Sequence, residues 1–376
     1  MKLNRLSGAA SIAALSALAL TLAACGSDNP TGDAPETSAP GTQEPSDGMM
    51  ELSGSLVGAG ASSQESAMNA WMAEFQTANP GVTVSYDPVG SGGGRTQFID
   101  GGTSFAGSDA YLDDEELTGA IARCGDEIME LPIYISPIAI IYNLPSVDAQ
   151  LQMSAGLIGD IFNGQVTMWN AAEIAAENPD VELPDLAITV VHRSDESGTT
   201  DNFTDYLAQA AGDSWPYEAS GDWPVEGQQS AQGTTGVVQT VEGAEGTIGY
   251  ADASRAGGLG TVAVKVGDVY VPYSAEAAAA VVDASSPVSG RGEYDYAIDL
   301  DRNTSESGAY PVVLVSYEIA CTTYDDVATA DLVKAFLTYV VSVDGQESAA
   351  AAAGNAPISD TLREKAMTAI DVISAG

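Results

Sequence analysis

The sequence predicts an α/β fold of two domains joined by two chain crossings, with ligand loops along one edge of a sheet. Three observations predict it. Short apolar runs alternate with helix-like segments, and loops of small residues stand between the two. Two long apolar runs, at residues 133–142 and 311–317, lie far apart in the chain, so one can enter a second domain and the other return from it. The chain has 376 residues, 45 % of them apolar, enough for two domains of ordinary size with a sizeable core. Its 40 glycines and 17 prolines suit the many turns of a mixed α/β protein.

The N-terminus reads as an export signal over residues 1–24. Lys2 and Arg5 precede an apolar stretch over residues 9–24 that is short and Ala-rich for a membrane span. The stretch ends Leu22-Ala23-Ala24-Cys25-Gly26. An aliphatic residue, two small residues and a cysteine in that order resemble a bacterial lipoprotein signal. The resemblance implies cleavage before Cys25 and fatty acylation (palmitate among the acyl groups) of its thiol. Residues 25–50 carry Ser, Thr, Pro, Gly, Asp and Glu and little that is apolar. Such a segment cannot bury enough surface to fold, so a disordered tether is expected, with a reach of about 25–30 Å.

The following elements are justified in turn. Ser55-Leu56-Val57 runs into Gly58-Ala59-Gly60-Ala61-Ser62-Ser63, and Met68, Trp71, Met72 and Phe75 then recur at helical spacing. Val82-Thr83-Val84-Ser85-Tyr86 alternates as a strand and leads into the loop Gly90-Ser91-Gly92-Gly93-Gly94. Thr103-Ser104-Phe105-Ala106 is a short strand ending at Gly107-Ser108-Asp109. The run at 133–142, interrupted by Pro137, reads as a buried strand that carries the chain across. Residues 187–191 form another apolar strand, followed by Arg193-Ser194-Asp195-Glu196-Ser197-Gly198-Thr199-Thr200 and a helix bearing Phe203, Tyr206, Leu207 and Ala210. The run at 311–317 returns the chain, and residues 328–341 and 362–373 read as helices. The expected domains are therefore 51–136 with 312–376, and 137–311.

The charge balance narrows the function classes. Twelve Lys and Arg face 53 Asp and Glu, a formal net charge of −41. Nucleic acid is excluded as a partner, because no cluster of cations is present to displace its counterions. The acidity reads as a solvated, soluble surface. Yet three loops are equipped for an anion. Each precedes a helix, where backbone N–H groups are unpaired and the dipole is positive. Glycine allows close backbone approach, and Ser and Thr donate without adding charge. One such loop is an ordinary helix cap; three with an arginine are a site. No nucleotide loop fits these residues, since G-x-x-x-x-G-K-[ST] is missing and Gly58-Ala59-Gly60 lacks the third glycine of the dinucleotide fingerprint. His192 is the only histidine and is read as a packing residue, so no metal or cofactor is expected. A secreted phosphatase-like enzyme using Ser62 or Ser197 is the alternative from another class; it needs an activating base or metal. Cys124 and Cys321 are expected to pair as a disulfide, as suits an exported protein.

Six motifs in order, from Gly58-Ala59-Gly60-Ala61-Ser62 through Gly90–Gly94, Phe105–Asp109, Asp160–Trp169 and Arg193–Thr199 to Gly246-Thr247-Ile248-Gly249-Tyr250, resemble one family. It is the phosphate-binding lipoprotein of the bacterial Pst ABC phosphate importer, and the resemblance runs from about Leu52 to the end. It implies a periplasmic-binding-protein fold (type II-like) that closes by hinge motion on one dehydrated phosphate. It implies donation by Ser62 from its hydroxyl and backbone, by Ser63 from its backbone N–H, and by Ser91. Arg193 would bind two phosphate oxygens with its planar fork, with Asp195 orienting it. Ser197, Gly198 and Thr199 would bind from the opposite domain. Asp109 would accept the ligand's remaining proton and so discriminate against sulfate. The implied partners are inorganic phosphate and the membrane permease subunits of the importer. The implied state is a monomer on the extracytoplasmic face of the cell membrane, touching it only through the lipid at Cys25, with no catalytic residue. Arsenate is the competing ligand.

Overall fold

The computed structural model describes residues 52–125 and 127–376. The export signal, Cys25 and the tether lie outside the described residues.

The chain opens with β1 (Gly54–Gly60), α1 (Glu65–Ala78), β2 (Val82–Asp87), α2 (Ser91–Ile99), β3 (Phe105–Ser108) and α3 (Asp114–Cys124). β1 pairs in parallel with β2 on one side and β3 on the other. α1 forms because Met68, Trp71 and Phe75 place one buried apolar stripe along it. α3 starts at a reciprocal cap, in which Glu116 N–H donates to Asp113 and the Glu116 carboxylate accepts from Asp113 N–H. One assignment changes: the glycine run at 90–94 is not a loop. Gly90 alone makes the turn, at φ 101°, and Gly92 to Gly94 lie inside α2. The reason is space, for a Cβ on Gly94 would stand 2.4 Å from Gly60 Cα.

β4 (Ile128–Tyr142) is 15 residues long and buried throughout. It belongs to two sets of strands. Up to Pro137 it pairs antiparallel with β13 (Val313–Cys321), which also pairs with β3. From Ile138 onward it pairs with β8 (Thr247–Asp252). Between them come β5 (Leu151–Met153), α4 (Ala155–Phe162), α5 (Ala172–Glu177), β6 (Thr189–Arg193), α6 (Gly198–Ala210), β7 (Gln229–Ala231) and α7 (Gly233–Glu242). β6 pairs in parallel with β8 and β7. β9 (Gly260–Val266) and β10 (Val269–Val271) form a hairpin that pairs with β4 and β5, and α8 (Ala275–Ala284) follows. A short pair, β11 (Ser286–Pro287) and β12 (Ile298–Asp299), precedes β13.

The chain ends with β14 (Thr323–Tyr324), α9 (Val327–Val341), α10 (Val343–Ala353), α11 (Asp360–Asp371) and β15 (Ser374–Ala375). α10 falls within the C-terminal stretch expected to be helical, although its alanines show no apolar stripe; Ser342 caps it and α1 packs on it. The α/β architecture expected from the sequence is the one observed, with strand order β2-β1-β3-β13-β4-β8-β6-β7 along one curled sheet. No described helix is long and apolar enough to cross a membrane.

Cys124, at the end of α3, and Cys321, at the end of β13, are joined as a disulfide with their Cα atoms 5.2 Å apart. The bridge closes a loop of 197 residues. Replacing both cysteines by serine is expected to cost about 2–4 kcal/mol of stability. Denaturant unfolding with and without reductant measures it; an unchanged midpoint contradicts it.

Candidate functional site

Four helix N-termini converge. The turn from β1 delivers Ser62, Ser63 and Gln64 to the start of α1. Ser91 is the first residue of α2, and Ser197 caps α6 by accepting from Thr200 N–H. The fourth is α7, entered through Gly233 and Thr234.

At their centre is Asp109, which follows β3 and is 3 % exposed. Its carboxylate accepts from the Ser63 hydroxyl at 2.6 and 2.8 Å and from the Thr199 hydroxyl at 2.9 Å. Its N–H donates to Ser91 Oγ at 3.1 Å, and its C=O accepts from Asn202 Nδ2 at 2.7 Å. Burial pushes the Asp109 carboxyl up; the Ser63 and Thr199 hydroxyls and the Arg193 charge pull against that shift. Gly198 touches this group so closely that a Cβ would stand 2.6 Å from Ser91 Oγ and 2.7 Å from Asp109 Cβ.

Arg193 ends β6 and is buried, with its fork turned onto Asp195: Nε donates to Oδ1 at 2.8 Å and the second nitrogen to Oδ2. Asp195 also accepts from Gly233 N–H at 3.1 Å. Burial alone would raise its carboxyl; the Arg193 pair and the Gly233 N–H outweigh that and hold it below the usual range. Ser62 Oγ lies 3.1 Å from Thr234 Oγ1 and accepts from Thr234 N–H at 3.0 Å.

The structure therefore brings Ser63, Ser91, Asp109, Gly198 and Thr199 into direct contact. Arg193 sits with Asp195, and Ser62 sits with Thr234. The Ser63 side chain, given no role by the sequence, bonds the Asp109 carboxylate. Three contacts join residues before β4 to residues after it: Ser62 to Thr234, Asp109 to Thr199, and Arg95 to Glu196 at 3.1 Å. A cavity of about 440 Å³ borders the group, lined by Asp109, Arg95, Glu116, Glu196, Asp201 and Arg302.

The sequence reading assigned no site role to the turn at 233–236, to Tyr250, or to the Arg95–Glu196 pair. Gly233-Thr234-Thr235-Gly236 is a fourth small-residue turn before a helix, so its signal was in plain view. Tyr250 bonds Thr200 Oγ1 at 2.7 Å and accepts from Arg193 N–H at 3.4 Å, which gives a structural reason for part of the motif at 246–250. Arg95 and Glu196 are 101 residues apart and have no local signature. His192 stacks on Trp223, and its Nδ1 lies 2.8 Å from Arg193 O. No cluster suited to a metal ion occurs among the described residues.

The arrangement gathers hydroxyls, N–H groups and one guanidinium around two carboxylates, Asp109 and the Arg193-paired Asp195. Thr199→Val removes one donor from the buried Asp109 carboxylate and is expected to destabilise the protein by about 1–3 kcal/mol. Chemical denaturation reads this directly, and a loss within error would show the bond to be dispensable.

Residues 34–344 match the PBP superfamily domain. Phosphate-binding protein PstS 3 of Mycobacterium tuberculosis (strain ATCC 25618 / H37Rv) is 35% identical over 381 residues, covering 100% of both chains. PstS 3 of Mycobacterium leprae (strain TN) is 34% identical over 387 residues, again covering 100% of both. Among solved structures, a phosphate-binding protein from Stenotrophomonas maltophilia superposes with TM-score 0.63 at 18% identity, over 84% of this chain and 93% of that one. The chain belongs to the PBP superfamily and, within it, to the PstS family of phosphate-binding proteins.

Proposed function

We propose that this protein is a receptor that captures inorganic phosphate outside the cytoplasm and hands it to the membrane subunits of an ABC importer. The observation that carries the reading is Asp109: a buried carboxylate at the centre of a donor-rich cradle. An ionised carboxylate only accepts hydrogen bonds. Mono- and dibasic phosphate keep a proton and can donate it there. Sulfate at neutral pH has none, and two unpaired acceptors facing each other in a closed cleft cost several kcal/mol, on the order of 2–7.

The ligand set is Ser62, Ser63, Ser91, Arg193, Ser197, Gly198 and Thr199, with Asp195 holding the arginine fork. Arg193 would turn its remaining N–H groups to the ligand, while its bond to Asp195 fixes the plane. Residues 51–136 with 312–376 form one lobe and 137–311 the other. The change of partner along β4 between Pro137 and Ile138 supports a hinge there. Both lobes contribute donors, so the closed state binds better and ligand shifts the population towards it.

The same residues argue against turnover. Ser62 and Ser197 are engaged with Thr234 and Thr200, and the only histidine is stacked on Trp223. No activated nucleophile is assembled among the described residues, which supports a receptor over the phosphatase-like alternative. The export signal at 1–24 and the Leu22-Ala23-Ala24-Cys25 order support a mature lipoprotein anchored at Cys25, with residues 25–50 as its tether and a monomeric globule beyond.

Calorimetry on protein freed of carried-over phosphate tests the reading. One phosphate per chain is expected, and no heat with phosphate sinks it. Arg193→Met is expected to lower affinity about a hundredfold or more, given ~2–5 kcal/mol for one partner of a buried charged pair. Asp109→Asn is expected to narrow the gap between phosphate and sulfate by about tenfold or more, roughly 1.4 kcal/mol. An unchanged phosphate-to-sulfate ratio would remove Asp109 from its role.

A further inference from the structure

The residue after Ser62 and Ser63 is Gln64, and its side chain turns inward rather than capping α1. It is completely buried. Its Nε2 donates to Tyr86 OH at 3.0 Å and to Glu318 Oε1 at 3.3 Å. Tyr86 OH in turn donates to Ala61 C=O at 3.0 Å. Glu318 lies on β13, opposite Gly107 of β3, and is also completely buried. Space for the group exists only because residue 107 is glycine: a Cβ there would stand 1.6 Å from Gln64 Nε2 and 2.4 Å from Tyr86 OH. A chain of bonds thus runs from the strand shared with β4 to the loop that presents Ser62 and Ser63.

Two atoms in this chain have no partner: Gln64 Oε1 and Glu318 Oε2. Both are acceptors if Glu318 is ionised. They belong to two side chains already joined by one bond. A single proton on Glu318 changes Oε2 from a second acceptor into a donor. The pair would then be a carboxylic acid facing a carboxamide, with one hydrogen bond in each direction.

We propose that Glu318 is a neutral carboxylic acid that donates to Gln64 Oε1, and that this acid–amide pair positions the Ser62–Ser63 loop for phosphate until alkaline ionisation of Glu318 loosens it. The phosphate part rests on the function proposed above. Burial pushes the Glu318 carboxyl up to about 8, against the pull of the Gln64 bond. No cation offsets it. Tyr86, from β2, is itself pushed well up by burial and by the charges of Glu318, Asp109 and Asp87. Glu130, on β4 opposite Ile319, is occupied by Leu112 N–H and by Arg291. Glu65, next to Gln64, pairs with Arg255. The folded form therefore keeps a proton that the unfolded chain releases near 4.5. The sign follows: this group's contribution to stability is fullest in acid and is lost as pH rises from the unfolded value through about 8.

Glu318→Gln separates the pair's geometry from its titration, because an amide keeps both bonds and cannot ionise. Phosphate affinity is measured for the wild-type protein and for E318Q from about pH 6 to about pH 9.5. Phosphate's own ionisation cancels in their ratio. The ratio is expected near one below about pH 7 and to move in favour of E318Q by about tenfold at the alkaline end. A flat ratio overturns the proposal, as does an E318Q that already binds poorly at neutral pH. Glu318→Leu keeps the bulk and removes the pair. It is expected to bind about tenfold less tightly than E318Q at neutral pH, and equal binding would show that the pair positions nothing. Infrared spectroscopy gives a readout that needs no ligand. The wild type minus E318Q difference at neutral pH is expected to contain the carbonyl band of a protonated carboxylic acid, and a carboxylate band in its place overturns the neutral state. Should neither protein bind phosphate, the receptor reading fails while the infrared difference still decides the pair.

Discussion

One buried carboxylate organises this molecule. Asp109 lies just past the end of β3 and is nearly buried, and burial makes its charge costly. The fold answers with donors from opposite sides of the crossing strands: Ser63 from the turn after β1 and Thr199 from the start of α6. The two donors stand 136 residues apart in the chain, one before β4 and one after it. The carboxylate thus draws hydroxyl donors from both sides and keeps acceptor capacity beyond them. Gly198 is needed because this packing leaves no room for a side chain beside Ser91 and Asp109.

The same constraint resolves the apparent conflict between a net charge of −41 and an anion as cargo. Surface carboxylates beyond about 8 Å are screened at physiological ionic strength, whereas helix N–H groups, hydroxyls and Arg193 act at contact. Arg193 supplies attraction but little choice among oxyanions, since its fork suits any of them. In the proposed function choice falls to Asp109, which would ask for a proton as well as a negative charge. Glu318 extends the theme beneath the site. There a proton carried by the protein itself, instead of one carried by the ligand, would turn a pair of acceptors into a bond.

Much of this was legible in the sequence because helix starts are local. Glycine, serine and threonine before an apolar helical stripe mark an N-terminus wherever it ends up, and an arginine after a strand marks its charge. The assembled resemblance to a phosphate receptor then fixed which of those termini meet. What stayed hidden was set by distance along the chain. Ser62 meets Thr234 across 172 residues, and Gln64 meets Glu318 across 254. In a chain with 53 acidic residues, one glutamate after an apolar run gives no sign that it is buried against a glutamine 254 residues away. The glycine run at 90–94 misled for a physical reason. Glycine signals a turn, but at Gly92 and Gly94 it records close approach by Glu196 and Gly60 to a helix.

The most direct test of the central claim is competition between phosphate and sulfate on the wild-type protein at neutral pH, followed by calorimetric displacement. If Asp109 requires a proton from its ligand, sulfate in about a thousandfold excess, equivalent to ~4 kcal/mol, will fail to displace phosphate. Displacement by sulfate at concentrations comparable to phosphate would contradict the account at its centre.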